Sequence, residues 1–274
     1  MQPEMRNDAK VRATSTFNAA ADFYDAPALS FWDRIGSRTV MRMSLKLGAC
    51  VLDACCGSGA SAIPAARAVG PSGRLLGIDL AENLLRLARG KASQLGLTQA
   101  EFRLKDIQEL DASAEMFDAV ICVFGIFFVS DMPSGIRSLW RVLRPGGQLA
   151  ITTWGPRILE PGSSAFWNAV RNERPVLYKS FNPWERINEP HALASMLREA
   201  GVHTADVIAE PGVHPLSSPE DFWTIAMGSG YRGTIELLDQ EACLRVRRAT
   251  LGYISENNVK SVETNAVYAI AHKP

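Results

Sequence analysis

The apolar and polar positions of the chain fall into an alternation of short strands and amphipathic helices. Val51-Leu52 is a short apolar run that ends in Asp53. It is followed by a turn of small residues through Ala60 and an Ala-rich helical pattern reaching Ala68. That order predicts a buried strand, a tight loop and a helix start. Arg74 to Leu80 reads as a second strand ending at Asp79. Leu80, Leu84, Leu87 and Leu95 then share one face of a helix stopped by Gly96. Ala100 to Ile107 reads as a third strand. Phe117 to Phe124 is nearly continuous in apolar residues, as a central parallel strand is when both its faces are covered. Ile136, Leu139, Trp140 and Leu143 form a further helical stripe, broken by Arg144-Pro145-Gly146-Gly147, and Gln148 to Trp154 is the fifth strand. Strands alternating with helices predict an α/β fold with a parallel sheet covered on both faces.

The flanking segments follow other rhythms. Val11 to Leu47 is helical and broken at Pro27, with Phe17, Ala20, Ala21 and Tyr24 on one stripe. Beyond Trp154, Pro156 to Glu189 reads as an insertion with a helix near Ser164 to Val176 and many aromatics, Trp167 and Trp184 among them. Pro190 to Ala200 is a helix closed by Gly201, and His203 to Val213 a strand. Ser217 to Asn258 is a second, largely helical insertion. It holds the turn Gly228 to Gly233 and the cluster Arg245, Arg247 and Arg248, and Asn265 to His272 is the last strand. The expected division is a helical lid over 1–47 and a core over 48–274, with cap insertions at about 156–189 and 215–262.

The loop after Asp53 carries the chemistry. Gly57 and Gly59 have no Cβ, so backbone amides can lie against a ligand, and the following helix aims its unpaired N–H groups at the same place. Two ligands compete for it. Gly57-Ser58-Gly59-Ala60-Ser61-Ala62 fits a dinucleotide fingerprint with Ala in the third glycine's place, and Asp79 follows at the expected distance. Alternatively the loop is one opened by an acid, Asp53, with small residues at Cys55, Gly57 and Gly59. Asp79, leaving its strand, suits two vicinal ribose hydroxyls in either case; it equally suits a cap on the helix near Glu82.

Composition narrows the classes. Lysine plus arginine equals aspartate plus glutamate at 29 each, so no net field draws nucleic acid or an anionic membrane. Five scattered cysteines, with Cys55-Cys56 adjacent, suit neither a disulfide framework nor a metal site and favour a reducing cytoplasm. Met1 to Lys10 has no apolar leader. Ala119 to Val129, the longest uncharged apolar run, is too short for membrane insertion. The expected partner is therefore a small molecule, with the oligomeric state open between monomer and homodimer.

The acid-led loop resembles the first motif of class I S-adenosylmethionine-dependent methyltransferases, with Cys55 where glycine is usual. Phe117-Asp118-Ala119-Val120, then Leu139 to Gly147, then an apolar strand, resemble the later motifs of that family. The nearest likeness is the branch of ubiquinone and menaquinone C-methyltransferases and small-molecule natural-product enzymes. Together the motifs span Cys50 to Trp154, and a hydride-transferring dehydrogenase would not carry their second half. The resemblance implies a Rossmann-like, seven-stranded, mostly parallel sheet with an antiparallel edge, and S-adenosyl-L-methionine as cofactor. By motif position it implies cofactor contacts from Asp53, Cys55, Gly57, Gly59, Asp79, Leu80, Asp106 (to the adenine amino group), Ile107 and Val123. Tyr24 would close over the cofactor from a leader helix. Phe124, Phe127, Trp154 and Arg232 are then expected at the acceptor.

Methyl transfer from a sulfonium is an in-line displacement that needs orientation first and, for a hydroxyl or acidic carbon, a base. Among four histidines, His214 is the base candidate because it follows the sixth strand and precedes the cap. Tyr231 is the second catalytic candidate. The segment after the fourth strand, Val123-Phe124-Gly125-Ile126, lacks the Asn/Asp-Pro-Pro-aromatic pattern of amide-nitrogen enzymes. Thr152-Thr153-Trp154-Gly155 offers no carboxylates for a metal. The acceptor is expected to be small and partly apolar or aromatic. The alternative is a catalytically inactive cofactor-binding or assembly protein.

Overall fold

A computed structural model describes residues 3–110 and 117–274, with side chains from residue 10 onward. Met1 and Gln2, at the start of the stretch read as carrying no leader, lie outside it. Seven strands form one sheet in the order β3-β2-β1-β4-β5-β9-β6. They are β1 (Cys50–Ala54), β2 (Arg74–Asp79), β3 (Ala100–Leu104), β4 (Phe117–Val123), β5 (Leu143–Trp154), β6 (Ala205–Glu210) and β9 (Ala266–His272). The first five run parallel, and β9 is antiparallel to both β5 and β6. This is the Rossmann-like sheet with an antiparallel edge. Strand order reverses between β1 and β4, where open α/β sheets hold ligands beyond the strands' carboxyl ends.

Helices cover both faces. On one, α2 (Phe31–Met41), α3 (Ala62–Val69) and α4 (Glu82–Gln94) bury Val40, Ala62, Ala66, Leu85 and Ala88 against Val51, Leu75 and Ile121. On the other, α5 (Met132–Arg141) and α7 (Pro190–Glu199) bury Ile136, Leu139, Leu193 and Leu197 against Val120, Leu149 and Ile151. The same core continues into α6 (Gly162–Glu173), α8 (Pro219–Met227) and α10 (Gln240–Glu256) through Phe166, Phe222 and Val246. A two-stranded sheet of β7 (Val213–Pro215) and β8 (Ser261–Glu263) and the short helix α9 (Arg232–Ile235) complete the cap.

The buried stripe of α4 differs from the sequence reading. It is Leu84, Leu85, Ala88 and Ala92, while Leu95 caps the helix and is 45% exposed. A helix lying flat on a sheet accepts alanines where backbones approach, so leucine spacing alone pointed to the wrong face. β5 begins at Leu143, ahead of the expected Gln148, with a register shift opposite Phe117 and Ala119 that absorbs the Pro-Gly-Gly stretch.

Candidate active site

A single cavity opens along the carboxyl ends of β2, β1, β4 and β5, roofed by α1 (Pro3–Tyr24), the start of α2 and both insertions. From β2 to β5 is three strand spacings, about 14 Å. The two ends of that span differ in chemistry.

At the β2–β3 end the groups are polar and tied to backbone. Asp79 Oδ2 accepts from the Gly57 amide and Oδ1 from the Ala81 amide, both at 2.8 Å. A carboxylate has about four acceptor positions, so each oxygen keeps room for a ligand hydroxyl. Burial pushes its pKa up, opposed by those amides. Asp53 is fully buried beneath the loop; Oδ2 accepts from Ser61 at 2.7 Å, whereas Oδ1 has no partner. Its pKa is pushed up to about 7, first by burial and then by the Asp79 charge, against the Ser61 hydrogen bond. Asp106 accepts from the Gln108 amide at 2.9 Å, capping a 3-10 turn that starts at Ile107, and forms an ion pair with Lys10 of α1.

The loop's path comes from positive φ at Cys55 (60°), Gly57 (53°) and Gly59 (92°). The two glycines take that geometry freely, while Cys55 bears strain that usually marks a functional turn. Its pKa is pushed up, chiefly by hydrogen bonding with Cys122 and then by burial, so it stays an uncharged thiol. The end of α1 is pinned to the same loop, because Asp25 accepts from Ser58 and from Lys91, each at 2.7 Å.

At the β4–β5 end the cavity is aromatic. Phe124 and Trp154 stack at 3.7 Å and 17°. Trp32 lies 5.3 Å from Trp154 and is nearly parallel to Tyr24 at 5.3 Å and 2°. Phe31, Phe127, Trp184, Ile158 and Leu159 extend the apolar wall. The charged side chains lining the cavity, among the described residues, are Lys10 and Asp79, both at the other end. Here the polar groups are hydroxyls, a thiol and indole nitrogens; the Trp32 Nε1 has no partner.

Of the residues expected from sequence, Tyr24, Cys55, Gly57, Asp79, Leu80, Val123, Phe124, Phe127, Trp154 and Tyr231 line the cavity. Asp53, Gly59, Asp106 and Ile107 are not among its lining residues. Two residues stand elsewhere. His214, on β7, is separated from the cavity by Phe31, on which its ring packs edge-on at 5.1 Å. It hydrogen-bonds the Ala28 backbone, and burial lowers its pKa. It reaches no position for a base. Arg232 turns away to an ion pair with Glu236 at 2.6 Å and a contact with the Met227 sulfur at 3.1 Å. Sequence reasoning missed Lys10, Phe31 and Trp32. The adjacent aromatics at the start of α2 were the available signal, but only the tertiary fold turns them toward the sheet.

Comparison with known proteins identifies the family and the fold. The model of the ubiE/COQ5 methyltransferase family matches residues 6–208. A demethylmenaquinone methyltransferase of Listeria monocytogenes serotype 4a is 34% identical over 187 residues, covering 64% of this chain and 78% of that one. The YcgJ protein of Bacillus subtilis shares the fold with a TM-score of 0.57 at 16% identity, over 88% of this chain and 98% of that one. A SAM-dependent methyltransferase from Aquifex aeolicus does so at 0.54 and 21% identity, over 70% and 91%.

Proposed function

The chain belongs to the ubiE/COQ5 methyltransferase family, and from that premise we propose that it methylates a small, mostly apolar aromatic acceptor held against the aromatic wall to which Trp32, Phe124 and Trp154 belong. It is an S-adenosylmethionine-dependent methyltransferase. The residues present fit the cofactor. Asp79 offers fixed carboxylate lone pairs for vicinal hydroxyls, and the orphaned Asp53 Oδ1 is an acceptor buried under the loop. Among the described residues, a dinucleotide's pyrophosphate would meet one lining cation, Lys10, already paired with Asp106.

The bound cofactor supplies a methyl group on a positively charged sulfur, open to in-line displacement. The chain's own residues position and desolvate. In this proposal Asp79 and Leu80 hold the ribose, and Asp106 and Ile107 hold the base once Lys10 yields its partner. Cys55, Gly57 and Val123 shape the floor, with Asp53 and Gly59 fixing the loop from behind. Tyr24 closes the roof from a lid spanning 1–47, over a core of 48–274 with cap insertions at about 156–189 and 215–262. The faces of Trp32, Phe124 and Trp154 favour a cationic sulfur beside an apolar ring. Orientation of this kind supplies up to roughly 7–11 kcal/mol, so the lack of a charged base at the acceptor end among the described residues does not argue for an inactive binding module.

No helix among the described residues is long and apolar enough to cross a membrane. We place the protein in the cytoplasm, acting on a small molecule. Nucleic acid is disfavoured because Arg245 and Arg247 are engaged with Glu173 and Glu220.

The observation that carries the reading is the one cavity continuous from Asp79 to Trp154. The test is transfer of tritiated methyl from S-adenosylmethionine to a short-chain demethylmenaquinone reduced to its quinol, an acceptor chosen from the Listeria relative. Labelled product is expected. Binding of S-adenosylhomocysteine without product would reject this acceptor, and no binding at all would reject the cofactor assignment.

A further inference from the structure

Two thiols that methyl transfer does not use meet beneath the cofactor loop. β1 and β4 are parallel neighbours, with Asp53 level with Ile121. One residue further, Ala54 comes level with Cys122. Cys55 therefore leaves the strand about 6 Å from Cys122, inside the Cα range that a disulfide spans. An extended Cys55 would face away, because successive side chains on a strand alternate. Its φ of 60° turns the side chain back instead, and the two thiols hydrogen-bond. Gly125 makes the room: a Cβ there would stand 2.7 Å from the Cys55 sulfur and 3.1 Å from the Cys122 sulfur. Both sulfurs thus pack over one bare Cα. Cys56 takes no part, because it faces the opposite core with Val51, Leu75 and Phe102, its sulfur 3.8 Å from the Gly57 carbonyl.

Cys55 lines the cavity and Cys122 lies buried behind it. We infer that the pair is a redox switch: a peroxide joins Cys55 and Cys122 in a disulfide that weakens the cofactor site, and a thiol reductant restores it. The Cys55 sulfur, once ionised, attacks one peroxide oxygen. The O–O bond breaks, hydroxide leaves and takes up the thiol proton as water, and Cys55 is a sulfenic acid. The Cys122 sulfur then attacks that sulfur, the S–O bond breaks, and the hydroxyl leaves with the Cys122 proton as a second water. The two thiols give up two electrons and the peroxide takes them. Hydrogen bonding with Cys122, and then burial, hold Cys55 protonated, so the first step waits on its ionisation and needs peroxide in excess. An S–S bond of about 2 Å is shorter than any thiol contact and draws Cys55 toward β4. Gly57, two residues on, donates its amide to Asp79 at 2.8 Å, so the pull reaches the acid proposed to hold the ribose. The effect on the cofactor rests on the methyltransferase reading; the disulfide does not.

Hydrogen peroxide treatment of wild type, Cys122→Ala and Cys56→Ser tests this, with mass, free thiols and ligand binding as readouts. Wild type is expected to lose two hydrogens, about 2 Da, and two free thiols. It should then bind S-adenosylhomocysteine about tenfold more weakly, with dithiothreitol restoring mass and affinity. Cys56→Ser should behave as wild type does, and Cys122→Ala should show no such mass loss. A small aromatic probe of the acceptor end, 1-naphthol, should bind the oxidised and reduced proteins alike. Three results would overturn the inference: thiols that stay free, a disulfide that persists in Cys122→Ala, or a disulfide that leaves S-adenosylhomocysteine affinity unchanged. Equal losses of both ligands would mean general damage and overturn it too. Failure of the reduced protein to bind S-adenosylhomocysteine strikes the cofactor assignment instead, and the mass measurement still decides whether the two thiols join.

Discussion

The two ends of the cavity are built by different rules. At the β2–β3 end, Asp53, Gly57 and Asp79 act from strand ends and the loop beside them, through hydrogen bonds to backbone amides and to Ser61, while Lys10 reaches Asp106 from α1. At the β4–β5 end, Trp32, Trp154, Trp184 and Tyr231 arrive from four separated segments and meet only through packing. The first end is a local motif that many chains can repeat. The second is a tertiary product of this chain. Cofactor binding should therefore survive changes that destroy acceptor binding, and the reverse should also hold.

The largest expected effect tests the aromatic end. Trp154→Ala removes a nearly buried side chain stacked on Phe124 and should cost about 3–5 kcal/mol of stability, read by urea unfolding. Bound S-adenosylhomocysteine should still stabilise whatever remains folded. Asp79→Ala tests the other end. It should weaken S-adenosylhomocysteine by about 1.5–3 kcal/mol in isothermal titration, through loss of charge-assisted bonds, and leave 1-naphthol binding unchanged.

Gly36→Ala probes the joint between the ends. A Cβ there would stand 2.5 Å from the carbonyl carbon and oxygen of Ala60, so α2 must lift off the loop, at about 1–3 kcal/mol. This one change should weaken both ligands together.

A smaller effect follows from Asp53. Its folded pKa of about 7 lies above the ordinary 3.8, so the folded state holds its proton longer. Its contribution to stability is present below the lower value and is lost as pH rises through the upper one. Unfolding curves across that window should show wild type losing stability toward neutral pH, and Asp53→Asn losing less. Smallest of all, His214→Gln should leave methyl transfer and cofactor affinity within about twofold, since Phe31 separates the ring from the cavity.

Legibility in the sequence followed the same division. The succession of strands and helices, the acid-led loop and the end of β2 at Asp79 could be read because each is carried by a local pattern, although the Asp79 contact with Gly57 spans 22 positions. The face of α4 differs from the expected one because Ala88 and Ala92, invisible to a search for leucines, complete the buried stripe that Leu84 and Leu85 begin. His214 was placed in the cleft from its position after β6, yet β7 and β8 pair separately and carry it behind Phe31. Phe31 and Trp32 gave only an aromatic pair at a helix start, with no sign of the sheet edge they would face. Tyr231 showed as a turn residue; its partners Ser163 and Trp167 lie more than sixty positions earlier.

A crystal structure with S-adenosylhomocysteine and 1-naphthol bound together tests the division most directly. Ribose hydroxyls are expected on Asp79, the sulfur directed toward β4, and the naphthol ring in the aromatic half of the cavity, against the wall to which Phe124, Trp154 and Trp184 belong. A cofactor lying elsewhere, or a naphthol ring seated at the β2–β3 end, would contradict it.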